Sequence, residues 1–259
     1  MFICIQLLNT MKNHNINKIW HTLATPTPTK KFTEELIAEL PAPVQRYFSH
    51  AITPGTPLAT GVKLTMEGKF RASPDKWLTM QGEEILTAKG FVWKALIGSG
   101  LFHLKGADYY YNGAGKVEFK IWGLIPFVKA INTDTTRSSI ARCGGELFWL
   151  PSALLPQQGV SWQAINDDTI QASFQIDGEP VNLTLLIDEN GKVLQAKLPR
   201  WGNQTTDKTW SYLPFGGKLS AETTFDGLTI PSEIAAGWYV ETDSYYEFFQ
   251  ATIKQAEFF

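Results

Sequence analysis

From residue 61 onward, apolar and polar residues alternate with a period of two over most of the chain. Successive side chains of a strand point to opposite faces, so this alternation indicates strands with one apolar and one wet face. The pattern predicts ten to twelve short strands, at residues 62–71, 76–88, 91–97, 101–111, 116–122, 170–176, 181–187, 192–198, 219–225, 229–234, 238–241 and 245–257. Turn sequences such as Asn112-Gly113 and Asn190-Gly191 join neighbouring strands, which predicts an antiparallel sheet.

Two regions follow a helical period instead. Residues 134–150 form a predicted helix whose apolar stripe consists of Ile140, Cys143, Leu147 and Leu150. Gly144-Gly145 within it indicates a kink or a close approach to the sheet. Residues 32–48 contain two shorter helical stretches separated by Pro41. Because so few helices cannot cover a long flat sheet, we predict an α+β, mostly β fold. It is a large curved antiparallel sheet, an unclosed barrel, with two helical regions on its concave face.

Residues 1–31 are expected to be a flexible leader and linker, followed by a single domain over residues 32–259. The apolar stretch at residues 2–8 is interrupted by Gln6 and is followed by no small-residue cleavage site, which argues against a secretory signal. It is also too short to span a bilayer. Translation from Met11 and an amphipathic membrane anchor are two alternatives for this segment. Together these features predict a cytoplasmic protein.

Composition excludes several classes of protein. Hydrophobic residues make up 44% and charged residues 19% of the chain, which indicates a sizeable core and not disorder. The net charge of −2 offers no overall electrostatic attraction for nucleic acid or for an anionic membrane. Cys4 and Cys143 cannot form a disulfide framework, and no spacing predicts a metal site or a cofactor site. Membrane contact stays open but no feature supports it, and the oligomeric state is not predicted.

Signatures of catalysis are largely missing from the sequence. It contains no phosphate-binding loop, no dinucleotide-binding glycine motif and no nucleophile elbow. Glu83 and Glu84 are adjacent on a predicted strand, so their carboxylates point to opposite faces and cannot act together directly. Cys143 lies on an apolar helix stripe and is interpreted as a buried hydrophobe. His103 and Glu146 are the candidates for general acid–base chemistry if the protein is an enzyme.

Aromatic and charged positions provide the candidate ligand-binding residues. Arg142, Glu146 and Trp149 share a helix stripe distinct from the apolar one, and Trp149 is expected at the mouth of a pocket, on a lid-like segment over residues 146–156. Arg200 ends a strand and is expected to line the same opening. The predicted ligand-binding set is Trp93, Tyr109, Tyr111, Arg142, Glu146, Trp149 and Arg200.

Several motifs resemble an uncharacterised bacterial family of domains of unknown function. The matching segments are Leu-Pro-Ala-Pro-Val-Gln-Arg-Tyr-Phe at 40–48, Gly-Phe-Val-Trp-Lys-Ala at 90–95, Glu-Leu-Phe-Trp-Leu-Pro-Ser-Ala-Leu-Leu-Pro at 146–156, Val-Ser-Trp at 160–162, and Ile-Pro-Ser at 230–232 before Trp238. The resemblance extends from residue 40 to 258. The shape it implies resembles the LolA-like lipoprotein-carrier class, which would imply a cavity for acyl chains.

The expected function is therefore that of a non-catalytic binding or carrier protein for an apolar, acyl-type small ligand, with no cofactor and no metal. The alternative is a hydrolase- or isomerase-like enzyme that uses Glu146 or His103 in the same cavity. Walls that are entirely apolar favour carriage, whereas convergent polar groups favour chemistry.

Overall fold

The computed structural model describes residues 15–25 and 30–259. The predictions that concern Cys4, the apolar stretch at residues 2–8 and a start at Met11 lie outside the described residues. So does the central part of the predicted linker, at residues 26–29.

Thirteen antiparallel strands form a single sheet that does not close, which confirms the predicted fold class. The strands are β1 (Gly61–Ser73), β2 (Lys76–Thr87), β3 (Gly90–Ser99), β4 (Phe102–Tyr111), β5 (Ala114–Ile121), β6 (Ile125–Ala130), β7 (Ser161–Ala164), β8 (Thr169–Ile176), β9 (Glu179–Ile187), β10 (Val193–Gly202), β11 (Ser211–Phe225), β12 (Leu228–Trp238) and β13 (Tyr246–Phe258). Their order across the sheet is β6-β5-β4-β3-β2-β1-β13-β12-β11-β10-β9-β8-β7. β1 and β13 pair at the centre, so two meanders extend outward from that pair to the edges β6 and β7.

The strand prediction missed β6 and β7 and placed a separate strand at 238–241, where the structure has only the end of β12. β6 is exposed along nearly its whole length and β7 has only four residues, so neither carries the alternation that marks a half-buried strand. The turn prediction at Asn112-Gly113 is confirmed. Both residues have positive φ, 49° and 74°, as a two-residue hairpin turn between β4 and β5 requires.

Two helices, α2 (Ala42–Ala51) and α3 (Thr133–Gly145), pack against the concave face and share one hydrophobic core with it. α3 contacts β4 and β5 of one meander and β9 and β10 of the other, so it lies within the curl of the sheet. It ends at Gly145, and the chain continues in 3₁₀ helices at Leu147–Trp149 and Pro151–Leu154. A Cβ on Gly144 would lie 2.8 Å from Val181, and one on Gly145 would lie 2.9 Å from Leu198. The predicted close approach to the sheet is therefore confirmed.

A third helix, α1 (Ile16–Leu23), lies inside the segment for which we expected a flexible leader. Asn15 caps it, since its side chain accepts a hydrogen bond from the backbone N–H of Asn17 at 2.9 Å. Ile19 and Leu23 are buried against Ile85, Val92 and Tyr109, in a cluster separate from the main core. Ile16, Ile19, Trp20 and Leu23 have helical spacing, so the sequence did contain a signal for this helix, which the expectation of a flexible leader overlooked. Within the described ranges, no helix is long and apolar enough to cross a membrane.

Candidate functional site

A cavity of about 290 Å³ lies between the concave face of the sheet and the C-terminal end of α3. Its wall is mainly apolar and aromatic, with side chains from strands of both meanders and from the 3₁₀ helix after α3. Phe127 and Val128 of the edge strand β6 line it and are also exposed to solvent, so the cavity opens at that edge. A larger groove of about 1220 Å³ lies elsewhere on the sheet beside α1, but it is open and carries many lysine and glutamate side chains. The apolar cavity is therefore the better candidate for a small-molecule site.

The aromatic wall is organised around Trp93. Its ring centroid lies 5.9 Å from that of Phe119 and 6.0 Å from that of Phe249, the latter in an edge-to-face arrangement. These separations fall in the range at which aromatic pairs are favourable. Because Phe119 and Phe249 belong to different meanders, Trp93 joins the two halves of the cavity wall.

Polar residues line one side of this otherwise apolar cavity. Pairing places Glu84 of β2 opposite Trp93 of β3, and Trp93 opposite Asp108 of β4, so the three side chains form a row across the concave face. Arg142 of α3 approaches this row. Its Nη1 donates to Oδ2 of Asp108 at 2.7 Å and its Nε donates to Oε1 of Glu146 at 2.8 Å.

Arg142 is the central cation of the polar cluster formed by Glu84, Asp108, Arg142 and Glu146. Its Nη2 lies 3.8 Å from Oε2 of Glu84. Burial alone would lower the pKa of Arg142, but the carboxylates of Glu146, Asp108 and Glu84 outweigh it and raise that pKa above its usual range. Arg142 is therefore permanently charged, and its planar fork suits carboxylate partners.

Glu84 is fully buried, and its pKa is raised well above the usual value. Burial is the main cause and the nearby charge of Glu146 adds to it, whereas Arg142 opposes the shift. Among the described residues, no donor outside this pair of carboxyl groups reaches either oxygen of Glu84 or the Oε2 atom of Glu146. A hydrogen bond between the carboxyl groups of Glu84 and Glu146 also raises the pKa of Glu84, so Glu84 keeps its proton to a higher pH than an ordinary glutamate.

Arg200 of β10 contributes a second cation to the cavity wall. Its Nε donates to the backbone oxygen and to Oγ of Ser138, both at 3.3 Å, and its guanidinium lies 4.5 Å from the ring centroid of Phe215. Burial, followed by the charge of Arg142, lowers the pKa of Arg200 to about 10, so the side chain is still protonated at neutral pH. In the part of the chain that the structure describes, no carboxylate lies within 4 Å of its nitrogen atoms.

Trp149 does not lie at an exposed mouth, contrary to our expectation. It lines the cavity, but only 2% of it is exposed, and its Nε1 donates to the backbone oxygen of Pro231 at 2.9 Å. The prediction that residues 146–156 form a lid-like segment is also wrong, since most of these residues are buried. Ser152 Oγ donates to the backbone oxygen of Ala59 at 2.6 Å. The sequence suggested that this apolar segment after the helix can move, whereas its side chains pack in the main hydrophobic core.

The structure brings together five of the seven predicted ligand-binding residues, all of which line the cavity: Trp93, Arg142, Glu146, Trp149 and Arg200. Tyr109 and Tyr111 lie instead in the cluster beneath α1. His103 is not among the cavity-lining residues, and its Nδ1 lies 3.3 Å from the backbone oxygen of Gly100.

Sequence reasoning considered Glu84 only as the neighbour of Glu83 and did not select it as a site residue, and it missed Asp108. Strand parity could have indicated that Glu84 is buried, because it shares a strand face with Leu78, Met80 and Leu86. The partners of Glu84 and Asp108 could not have been predicted, since they depend on the register of β2, β3 and β4 and on the position of α3.

Comparison with known proteins gives three results. A family model described as a family of unknown function (DUF6920) matches residues 38–258, so the predicted resemblance to an uncharacterised family is confirmed. The structure is similar to that of a LolA superfamily protein from Nitrosomonas europaea, with a TM-score of 0.44 and 8% identity over 83% of this chain and 91% of that one. It is also similar to a porin-like protein from Bacteroides uniformis, with a TM-score of 0.27 and 8% identity over 79% of this chain and 98% of that one. Among curated proteins, no sequence matches this chain.

Proposed function

We propose that this chain, which belongs to the DUF6920 family, is a non-catalytic binding or carrier protein for an apolar, acyl-type small ligand. The observation that carries the proposal is the aromatic-walled cavity enclosed between the sheet and α3. Its volume of about 290 Å³ is at the lower end of the range for small-molecule sites. It is roughly twice that of an engineered 150 Å³ cavity that takes up benzene.

The composition of the wall supports an amphiphilic ligand. An apolar chain would contact Trp93, Phe119 and Phe249, while a polar head group would reach the side on which Arg142, Glu146 and Arg200 lie. Each Å² of apolar ligand surface that leaves water would contribute about 25 cal/mol to the free energy of binding. The polar groups would fix the orientation of the ligand in the cavity.

The polar cluster also favours one second candidate, an enzyme of the hydrolase or isomerase type that uses Glu146. A buried carboxyl group with a raised pKa beside a second carboxyl group that lines a cavity is an arrangement found in acid–base catalysis. His103 no longer supports this candidate, because it lies outside the cavity lining. If the protein is an enzyme, Glu146→Gln should abolish turnover of a small ester while leaving the affinity for the product unchanged.

Native mass spectrometry of freshly purified protein tests the carrier proposal. We expect a mass increment that disappears after delipidation and returns on addition of a long-chain fatty acid. A protein that has no increment and takes up no fatty acid would contradict the proposal. The cytoplasmic location and the absence of a cofactor stay predictions of the sequence.

A further inference from the structure

A cluster of exposed apolar side chains lies at the edge of the sheet where the cavity opens. We call it the hairpin-tip surface. It comprises the tip of the β3–β4 hairpin, the tip of the β5–β6 hairpin and strand β6, with the side chains Leu101, Phe102, Trp122, Leu124, Ile125, Phe127 and Val128. Leu101 is 94% exposed and Leu124 is 77% exposed. An exposed apolar cluster of this kind usually marks an interaction site.

The two hairpin tips form a single ordered surface. Trp122 Nε1 donates to the backbone oxygen of Leu101 at 2.9 Å, and the backbone N–H of Trp122 donates to the oxygen of His103 at 3.0 Å. Both tips are therefore held together before any partner binds.

The basic side chains nearest to the two hairpin tips are Lys105 and Lys120. Lys94 and Lys129 lie farther along their strands, where each is opposite a glutamate, Glu83 and Glu118 respectively. Lys105 and Lys120 face each other across β4 and β5. The net charge of −2 for the whole chain conceals this local excess of positive charge. Apolar and aromatic tips flanked by lysines are complementary to an anionic bilayer surface.

The edge strand is poorly suited to pairing with another strand. Pro126, the second residue of β6, has no N–H to donate, and the pairing of β5 with β6 is interrupted between Phe119 and Lys120. Both features discourage the addition of a strand from a second copy or from another protein. Neither feature prevents the side chains at this edge from contacting a lipid surface.

We propose that the hairpin-tip surface docks the protein on lipid bilayers that contain anionic headgroups. Leu101 and Leu124 enter the interface, and the lysines contact the headgroups. Phe127 and Val128 belong both to this surface and to the cavity wall, so docking places the cavity mouth against the bilayer. The proposal concerns the outer surface and does not require that the cavity be occupied.

Co-sedimentation with vesicles tests it, using phosphatidylcholine alone and phosphatidylcholine with about one-third phosphatidylserine. We expect binding to the anionic vesicles that weakens as salt is added, because salt screens the lysines. The Leu101→Asp/Leu124→Asp variant should bind at least tenfold more weakly, since it removes two exposed anchors and adds two negative charges. Ile165→Asp is the matched control, because Ile165 is 54% exposed beside β7 at the opposite edge, and should bind like the wild type.

Melting curves establish that each variant is folded. Wild-type protein that fails to bind anionic vesicles would overturn the proposal. So would a double variant that binds as well as the wild type. A concentration-dependent dimer that is lost in the double variant, without vesicle binding, would show that a second copy covers the surface and would equally overturn it. Fatty-acid binding in solution is measured separately, so failure of the docking proposal is distinguishable from failure of the carrier proposal.

Discussion

The fully buried carboxyl group of Glu84 on β2 lies beside the partly buried carboxyl group of Glu146 at the end of α3, and the charge of Glu146 helps to raise the pKa of Glu84. Arg142 lies between the charges of the cluster and donates to Glu146. When Glu84 is protonated, the charges of Asp108 and Glu146 balance those of Arg142 and Arg200. A group of five ionisable side chains can therefore lie beside an apolar cavity without excess charge.

The raised pKa of Glu84 makes stability depend on pH. The folded protein keeps this proton above the usual glutamate pKa, whereas the unfolded chain releases it, so this group lowers stability as pH rises. Glu84→Gln removes that contribution while keeping a donor toward Glu146. We expect the free energy of unfolding of the variant, relative to the wild type, to increase between about pH 5 and about pH 8. Urea unfolding at several pH values measures it. Glu83→Gln, exposed on the other face, is the control, and parallel curves for Glu84→Gln and the wild type would contradict the assignment.

Arg142 should contribute strongly to stability. Arg142→Met leaves the carboxylates of Asp108 and Glu146 buried without their cation, which we expect to lower the free energy of unfolding by about 3–5 kcal/mol. Lys254→Met is the control, because Lys254 and Glu67 form an exposed pair at 3.7 Å and its loss should change stability by about 0–1 kcal/mol. Equal effects of the two substitutions in chemical denaturation would show that the polar cluster is not the buried network described above.

We expect substitutions of Trp149 to lower mainly the free energy of unfolding of the protein. Trp149→Ala removes a buried ring and should lower the free energy of unfolding by about 3–5 kcal/mol. Trp149→Phe retains most of the ring but leaves the oxygen of Pro231 without its donor, so a smaller loss of about 1–3 kcal/mol is expected. Thermal melting and displacement of a fluorescent fatty acid can be measured on the same variants. A Trp149→Ala protein as stable as the wild type would restore the original expectation of a mobile rim residue.

Residues 32–259 are predicted to form one domain. β1 and β13, from opposite ends of this segment, pair at the centre of the sheet, so neither meander has a complete core of its own. We expect a 32–259 fragment to unfold in one transition that coincides by circular dichroism and tryptophan fluorescence. Loss of α1 uncovers Ile85 and Val92 and should lower stability by at most a few kcal/mol. Two separate transitions would contradict the prediction.

Sequence could predict what depends on local periodicity. The alternation after Gly61 and the helical spacing of Ile140, Cys143 and Leu147 were sufficient for the curved sheet and its concave helix. The sequence could not predict the features that depend on strand register or on solvent exposure. The contact of Arg142 with Asp108 requires the position of α3 over β4, and strand β6, exposed along nearly its whole length, has no buried face to produce a pattern. α1 was missed for a different reason, since its residues Ile16, Ile19 and Leu23 do have helical spacing but the segment was treated as a leader.

Binding of an acyl chain in the cavity is the central claim, and one pair of substitutions tests it most directly. Ala236 lines the cavity, while its neighbour Ala235 lies on the opposite face of β12. The measurement is the dissociation constant of a fluorescent fatty acid for the wild type, Ala236→Phe and Ala235→Phe, with melting curves to establish folding. We predict that Ala236→Phe weakens binding at least tenfold, because the added ring occupies the space of the ligand, and that Ala235→Phe binds like the wild type. Equal affinities for all three folded proteins would contradict the claim that the cavity holds the chain.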